Sequence, residues 1–140
     1  MAAYVKLFRA SESVTSRLSG LISSAGLTFT QFNVLETLYH LGPMRQRELS
    51  GKVMRSDGNI TMVLRNLEKA DLAKREKTAG SGREYTVSLT ENGRAVIGEL
   101  FPRFAEAVAK EMGVLDLDRL ATLGDLCRRV GLKQPAAAER

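Results

Sequence analysis

The segment RSDGNITMVLRNLEK, residues 55–69, constrains the fold of this chain more than any other. Its apolar side chains repeat at i, i+3, i+4 and i+7, the spacing of one helix face: Ile60, Val63, Leu64 and Leu67. The other face is mostly short polar groups with one planar cation, where a solvated helix would carry Glu and Lys: Asn59, Thr61, Met62, Arg65 and Asn66. The segment predicts an amphipathic helix that follows a Ser56 N-cap, with Asp57 in its first turn.

Two neighbouring segments place this helix in a larger motif. A short helix is predicted over residues 46–54, and only a few residues separate it from Ser56, which indicates a helix-turn-helix. Residues 73–76 and 84–89 alternate in part between apolar and polar, and they enclose a basic, glycine-rich loop. That pattern is typical of a β-hairpin. A helix-turn-helix followed by a hairpin is a winged helix.

Two helices are predicted before the helix-turn-helix. Apolar residues at helical spacing indicate the first over residues 2–25. The second begins after Thr28, since Thr28 and Gln31 have the spacing of a capping box, and it stops at Gly42.

Two more helices are predicted after the hairpin. Thr90 is the expected cap of a long helix that ends near Met112, and Pro102 should kink it. A last helix covers about residues 117–130. The predicted fold is mainly α with a small β-hairpin wing: an N-terminal dimerisation helix at 1–26, a winged helix-turn-helix lobe at 27–93, C-terminal dimerisation helices at 94–132, and a flexible tail at 133–140.

Cysteine and histidine are too scarce for several classes of site. Cys127 is the only cysteine and His40 the only histidine, so one chain can form neither an internal disulfide nor a His/Cys zinc cage. No HExxH motif or phosphate loop is present, and we expect no catalytic residue, metal or cofactor. The chain also lacks a run of about 18 apolar residues and a signal-peptide pattern, which predicts a cytoplasmic protein that does not associate with membranes.

Positive charge is concentrated in the middle of the chain. The formal net charge is +5, and residues 44–94 hold 11 Lys and Arg against 7 Asp and Glu. The excess favours an acidic partner, but charge alone does not choose between nucleic acid and a membrane surface.

Four segments in order resemble the MarR family of winged helix-turn-helix transcription regulators. They are LTFTQFNVLETL at 27–38, RELSGKVM at 47–54, SDGNITMVLRNLEKADL at 56–72 and LTENG at 89–93. The resemblance implies a regulator, expected to be a repressor, that binds a pseudo-palindromic duplex operator as a homodimer. It further implies that a small molecule modulates DNA affinity, with an aromatic or phenolic compound as one candidate class.

In the MarR family the first helix of the helix-turn-helix, here residues 47–54, is the support helix, and the second, here within residues 56–72, is the recognition helix. The side chains predicted to contact DNA lie on these two helices and on the wing. Asn pairs bidentately with adenine and Arg with guanine or phosphate, while an arginine on a wing fits a narrow minor groove. The predicted set is Arg45, Gln46, Ser56, Asn59, Thr61, Met62, Arg65, Asn66, Lys77 and Arg83. For each of Arg65, Lys69, Lys74, Arg75 and Lys77 taken singly, a solvated surface charge is the default interpretation and a phosphate contact is the alternative.

Three positions depart from the family pattern. Asp71 stands where glycine is common after the recognition helix, and Asp tolerates the left-handed turn needed there. Ser81 replaces the wing carboxylate that would hold Arg83, so we expect a floppier wing tip. Arg45 occupies the cap of the support helix in place of Thr or Ser, and it is expected to reach phosphate.

Cys127 and His40 each have two interpretations. Cys127 lies among the apolar residues of the last helix, which predicts a small buried side chain; the alternative is a thiol-based redox-sensing regulator with Arg128 and Arg129 nearby. His40 is interpreted as a structural residue, or as a contact in a ligand pocket.

The outer helices carry more apolar surface than a winged lobe can cover. We therefore predict a homodimer formed by the first helix and the last two, through residues that include Phe101, Phe104, Val108, Leu117, Leu120 and Leu123. A winged helix that binds nucleic acid without sequence preference remains the alternative to an operator-specific regulator.

Overall fold

The computed structural model describes residues 1–53 and 59–133. Over those residues the chain forms, in order, α1 (Ala2–Ser24), α2 (Phe29–Leu41), β1 (Met44–Arg45), α3 (Gln46–Val53), α4 (Ile60–Lys69), β2 (Ala73–Lys77), β3 (Tyr85–Leu89), α5 (Glu91–Met112) and α6 (Leu117–Leu132). The mainly helical fold with a small wing is therefore confirmed.

Helix α2 begins and ends at the predicted residues. The Thr28 hydroxyl accepts the Gln31 backbone N–H at 3.1 Å, while the Gln31 side-chain oxygen Oε1 accepts the Thr28 backbone N–H at 3.0 Å, which completes the capping box. Gly42 ends the helix with a positive φ of 81°, a conformation that glycine adopts without a steric penalty.

Helix α4 begins later than predicted. Its first residue is Ile60, and the Asn59 side chain accepts the Met62 N–H at 3.2 Å as the N-cap. The prediction of Ser56 as the cap is therefore wrong for this helix, and Ser56 and Asp57 lie outside the described residues. Asn caps a helix as well as Ser does.

The wing belongs to a three-stranded antiparallel sheet in the order β1-β3-β2, rather than to a two-stranded hairpin. In β2 and β3, Ala73 pairs with Leu89 and Lys77 with Tyr85. Strand β1 adds Met44 opposite Val87 and Arg45 opposite Thr86. Two residues are too short for an alternating pattern, which is why the sequence did not predict β1. Arg45 is consequently a strand residue beside the wing.

A compact joint connects the end of α4 to the start of α5. Asp71 has a left-handed φ of 55°, as its position after the recognition helix predicted. The Thr90 hydroxyl donates to the Asp71 carbonyl at 2.6 Å and accepts the Gly93 N–H at 2.9 Å, so Thr90 caps α5 as expected. Gly93 lies so close to Leu72 that a Cβ atom would overlap the Leu72 carbonyl oxygen.

The core lies inside the winged lobe. Its fully buried side chains come from α1, α2, α3, α4, β3 and α5: Ile22, Val34, Leu35, Leu38, Leu49, Leu64, Leu67, Val87 and Ile97. The predicted inner face of α4 is confirmed, with Ile60 and Val63 packed at its edge.

The chain divides into two compact units, residues 1–105 and 106–140, with the boundary inside α5. Pro102 lies inside α5 in the first unit. The predicted boundaries at residues 26, 93 and 132 separate dimerisation segments from a DNA-binding lobe. They describe function and not compactness, so they stay a prediction.

Two predictions about apolar residues need correction. Phe101 and Phe104 were assigned to a dimer surface, but both pack against the core of the winged lobe, and the Phe104 ring lies 4.5 Å from that of Phe32. Cys127 was predicted to be buried, but it is exposed. No residue of α6 is buried in the single chain, so the apolar side of this helix does not enclose the thiol.

Candidate nucleic-acid interface

The outer side of α4 presents a row of exposed side chains, which we call the recognition face: Thr61, Met62, Arg65 and Asn66. Leu64 and Leu67 on the opposite side are fully buried and fix the rotation of the helix about its axis. The recognition face therefore has a single orientation relative to the lobe, which a base-reading helix needs.

The Asn59 side chain already makes one hydrogen bond within α4. Because its side-chain oxygen caps α4, the residue is held at the start of the recognition face. Its predicted contact with a base edge stays a prediction.

Gln46 joins the support helix to the recognition helix. Its side-chain N–H donates to the Thr61 hydroxyl at 3.2 Å, which couples the first residue of α3 to the first turn of α4. Among the described residues, the Gln46 side-chain oxygen is buried and has no hydrogen-bond partner. The two residues predicted separately as DNA contacts thus form one linked pair.

The wing tip is closed by hydrogen bonds of its own. The Thr78 and Thr86 hydroxyls lie 2.9 Å apart, and the Thr78 N–H donates to the Glu84 carbonyl at 2.8 Å. Lys77 at the end of β2 and Arg83 in the loop are both exposed. The structure places them on the wing as predicted. The expected floppiness of the tip at Ser81 stays a prediction.

Arg75 is a clamp rather than a solvated charge. The Arg75 guanidinium donates to one oxygen of the Glu68 carboxylate at 3.0 Å, and the Arg75 backbone N–H donates to the other oxygen at 3.1 Å. The Arg75 side chain is only 19% exposed. The guanidinium also lies over the Tyr85 ring, 5.4 Å from its centroid. The wing base is therefore fixed to the recognition helix. The sequence signal was an opposite-charge pair flanking a tight turn, and it was too weak to identify.

A cavity of about 430 Å³ opens between the start of α4 and the wing. We call it the basic cavity, because four arginines and a single carboxylate line it: Arg45, Gln46, Arg47, Ile60, Thr61, Arg75, Arg83, Glu84 and Tyr85. Of the residues predicted to contact DNA, it brings together Arg45, Gln46, Thr61 and Arg83. Its electrostatic character suits a polyanion.

His40 lies elsewhere, at the end of α2. Its Nδ1 atom is 2.9 Å from the Glu36 carbonyl and 3.2 Å from the Glu36 carboxylate, and its ring lies edge-on to Phe101 at 4.4 Å. These contacts support the structural interpretation. A role in ligand binding stays a prediction, since His40 lines neither the basic cavity nor a smaller one of about 270 Å³ beside Ser24 and Arg103.

Other site classes find no support in the described parts of the chain. Residues 1–53 and 59–133 contain no cluster of three or more His, Cys, Asp or Glu side chains that could hold a metal ion. Within the same ranges, no helix is both long and apolar enough to cross a membrane.

Comparison with known proteins decides the family. Residues 27–85 match the model of the MarR family. The HTH-type transcriptional regulator MhqR of Bacillus subtilis is 30% identical over 129 residues, which cover 92% of this chain and 89% of MhqR. This chain belongs to the MarR family. It is accordingly a transcriptional regulator and not an enzyme.

Solved structures of MarR regulators have the same fold. Sco3205 of Streptomyces coelicolor, crystallised in complex with DNA, superposes with a TM-score of 0.87 at 21% identity, covering 96% of this chain and 88% of Sco3205. BpsR of Bordetella bronchiseptica, whose DNA binding is regulated by 6-hydroxynicotinic acid, has a TM-score of 0.82 at 23% identity, covering 94% of this chain and 99% of BpsR.

Proposed function

We propose that this MarR regulator is a repressor that binds a pseudo-palindromic duplex operator as a homodimer. The observation that carries the proposal is the recognition face, held in one rotation by buried leucines and flanked by the four arginines of the basic cavity. Short polar groups on α4 suit base edges, and the surrounding cations suit phosphates. The DNA complex of Sco3205, a protein of the same fold, supports this use of the lobe.

Exposed apolar side chains on both terminal helices support the dimer. Helix α1 exposes Tyr4 and Phe8, whose rings stack at 6.2 Å. On α6, Leu117 is 83% exposed and Val130 is 67% exposed. Exposed apolar side chains of this kind, on each helix by itself, are typical of an interface between chains. Two-fold symmetry would then present two recognition helices to successive major grooves about 34 Å apart.

A small-molecule effector is the third element of the proposal. The smaller cavity lies between the end of α1 and α5, with apolar walls from Val96 and Leu100 and opposite charges from Glu99 and Arg103. Its volume of about 270 Å³ suits a single aromatic ring with a polar or acidic substituent. The regulation of BpsR by 6-hydroxynicotinic acid supports this ligand class.

DNA binding is tested with duplexes that cover the promoter of the regulator's own gene and its neighbours, against a random duplex of equal length. Fluorescence anisotropy should show preferential binding to one pseudo-palindrome, and sedimentation should show a dimer at micromolar concentration. Equal affinity for all duplexes would favour a nonspecific winged-helix protein. A stable monomer would contradict the dimer.

Effector binding is tested by adding 6-hydroxynicotinic acid and 4-hydroxybenzoic acid to the protein–operator complex. A fall in operator affinity with either compound, and not with cyclohexanecarboxylic acid, is the expected result. If neither aromatic acid changed operator binding, both compounds would be excluded as effectors and the comparison with BpsR would no longer support the ligand class.

Redox sensing through Cys127 is a second candidate, and the exposure of the thiol in the single chain favours it. Arg128 and Arg129, next to Cys127 in the sequence, both contact the Asp125 carboxylate, at 2.9 and 3.8 Å. That carboxylate offsets part of their positive charge. Peroxide treatment that lowered operator affinity in the wild type but not in Cys127→Ser would support this candidate over the ligand.

A further inference from the structure

The basic cavity contains one carboxylate among its four arginines, and its position is specific. Arg45 lies opposite Thr86 in the β1–β3 ladder. Glu84 precedes Thr86 by two residues, so it is the diagonal neighbour of Arg45, within reach of a long side chain. The Arg45 guanidinium lies 3.5 Å from the Glu84 carboxylate. Strand β1, which the sequence did not reveal, is what creates this pair.

The pair competes with DNA for the same cation. Arg45 was expected to reach phosphate, yet its nearest anion is within its own chain. A phosphate that approaches Arg45 must displace the Glu84 carboxylate or accept its repulsion. Glu84 is only 33% exposed and its carbonyl accepts the Thr78 N–H, so its backbone is fixed and the carboxylate stays beside the phosphate path.

Two other arginines of the basic cavity, Arg75 and Arg83, differ from Arg45 in their contacts. Arg75 is held by Glu68 and stays part of the wing base. Arg83, the neighbour of Glu84, is exposed on the loop. The Glu84 carboxylate therefore acts mainly on Arg45, at the border between the recognition face and the wing.

We infer that Glu84 is an internal competitor for Arg45 that lowers the sequence-independent affinity of this protein for duplex DNA. The inference rests on the proposed function, because it assigns Glu84 a role on the same DNA-contact surface. Sequence-independent binding comes from phosphate neutralisation, and each additional phosphate contact steepens the dependence of log K on log salt by about 0.9. Removing the carboxylate frees one cation for such a contact.

The test uses Glu84→Gln with Glu76→Gln as a matched control. Glu76 lies on β2 and pairs with Lys74 at 3.4 Å, so its substitution removes the same charge from the wing. Neither Glu76 nor Lys74 lines the basic cavity, so the cation that this control frees lies away from the border between the recognition face and the wing. Glu84→Gln should raise affinity for a random duplex about fivefold near 0.1 M salt and steepen the salt slope by about 0.9 per protomer, or about 1.8 for the dimer, whereas Glu76→Gln should change affinity less than about twofold. Equal effects of the two variants would overturn the inference.

Arg45→Gln provides a second, independent measurement. In the wild type it should cost little random-duplex affinity, because Glu84 already holds that cation; combined with Glu84→Gln it should abolish the gain. If Glu84→Gln still raised random-duplex affinity when Arg45 was absent, Glu84 would act through long-range electrostatic repulsion of DNA and not through Arg45. That result would overturn the inference. Thermal unfolding of each variant confirms that the fold is intact.

The same titrations separate this inference from the proposed function. A wild-type protein that bound no duplex at low salt would overturn both. Binding by the wild type with a loss of affinity in Glu84→Gln would retain the proposed function and overturn the inference, since Glu84 would then position Arg45 for DNA instead of competing for it.

Discussion

Helices α4 and α6 are both amphipathic, but they lie in opposite environments. The apolar side of α4 is fully buried at Leu64 and Leu67. The apolar side of α6 contains no buried residue, and Leu117 and Val130 are largely exposed. Periodicity identifies which side of a helix is apolar, but it does not identify what covers that side. For α4 the cover is the chain's own core, and for α6 we propose that it is a second copy of the chain.

The largest expected effect is at the joint that connects α4 to α5. Gly93→Ala would place a methyl group against the Leu72 carbonyl, a backbone atom that cannot rotate away. We expect a loss of about 3 kcal/mol or more in the free energy of unfolding. Chemical denaturation measures this, with Gly124→Ala as a control, because a Cβ atom at Gly124 on α6 meets nothing within 4 Å.

The second prediction compares the two helices directly. Leu64→Ala should lower the free energy of unfolding by about 2 to 5 kcal/mol at any protein concentration, because it leaves a cavity in the core. Val130→Ala should instead act through association, with an apparent stability that depends on protein concentration. A concentration-independent loss in Val130→Ala would contradict our interpretation of the α6 surface.

The third prediction concerns the outer side of α4. Arg65→Ala should cost roughly 1 to 3 kcal/mol of binding to the preferred operator and weaken discrimination between sequences. Lys77→Ala on the wing should weaken binding to all duplexes alike and reduce the salt slope by about 1 per protomer. If both variants lowered specific and random binding by the same factor, Arg65 would not be a base reader.

The fourth prediction separates two roles of Asn59. Asn59→Ala removes the α4 cap and should lower the free energy of unfolding by about 1 kcal/mol. Asn59→Ser keeps a capping oxygen and so preserves stability, but it loses the bidentate geometry suited to adenine. Operator affinity that fell in Asn59→Ala and recovered fully in Asn59→Ser would limit Asn59 to capping.

The smallest expected effect is at Pro102 in α5. Proline removes a backbone donor from the helix, and Gly98, one turn earlier, lowers helix rigidity, so this segment is a candidate hinge. Pro102→Ala should change the effect of 6-hydroxynicotinic acid on operator affinity while dimerisation stays intact. Unchanged coupling would leave only a static role for the proline.

The sequence predicted the parts of the molecule that depend on local patterns. The capping box at Thr28, the Thr90 cap, the left-handed Asp71 and the inner face of α4 all follow from neighbours within a few residues. Strand β1 and the Arg75 clamp depend on long-range pairing, which periodicity cannot express. The Ser56 cap was wrong because Asn59 competes for the same role with equal chemistry.

The site followed the same division. Sequence placed Thr61, Arg65 and Asn66 on one exposed side, since a helix period fixes their directions. It could not show that Arg45 faces Glu84, because that contact exists only once β1 pairs with β3. The exposure of Cys127 was missed because its apolar neighbours are themselves uncovered.

The tight joint at Leu72 and Gly93 also has a mechanical consequence. Because the Thr90 hydroxyl bonds both sides of the joint, it couples the end of α4 to the start of α5. Helix α4 has ten residues and extends about 15 Å from this joint. A rotation of α4 by about 10° about the joint would displace its Ile60 end, about 15 Å away, by roughly 2 to 3 Å. That is most of a hydrogen-bond length, so a small tilt at the far end of the recognition helix suffices to separate its side chains from base edges.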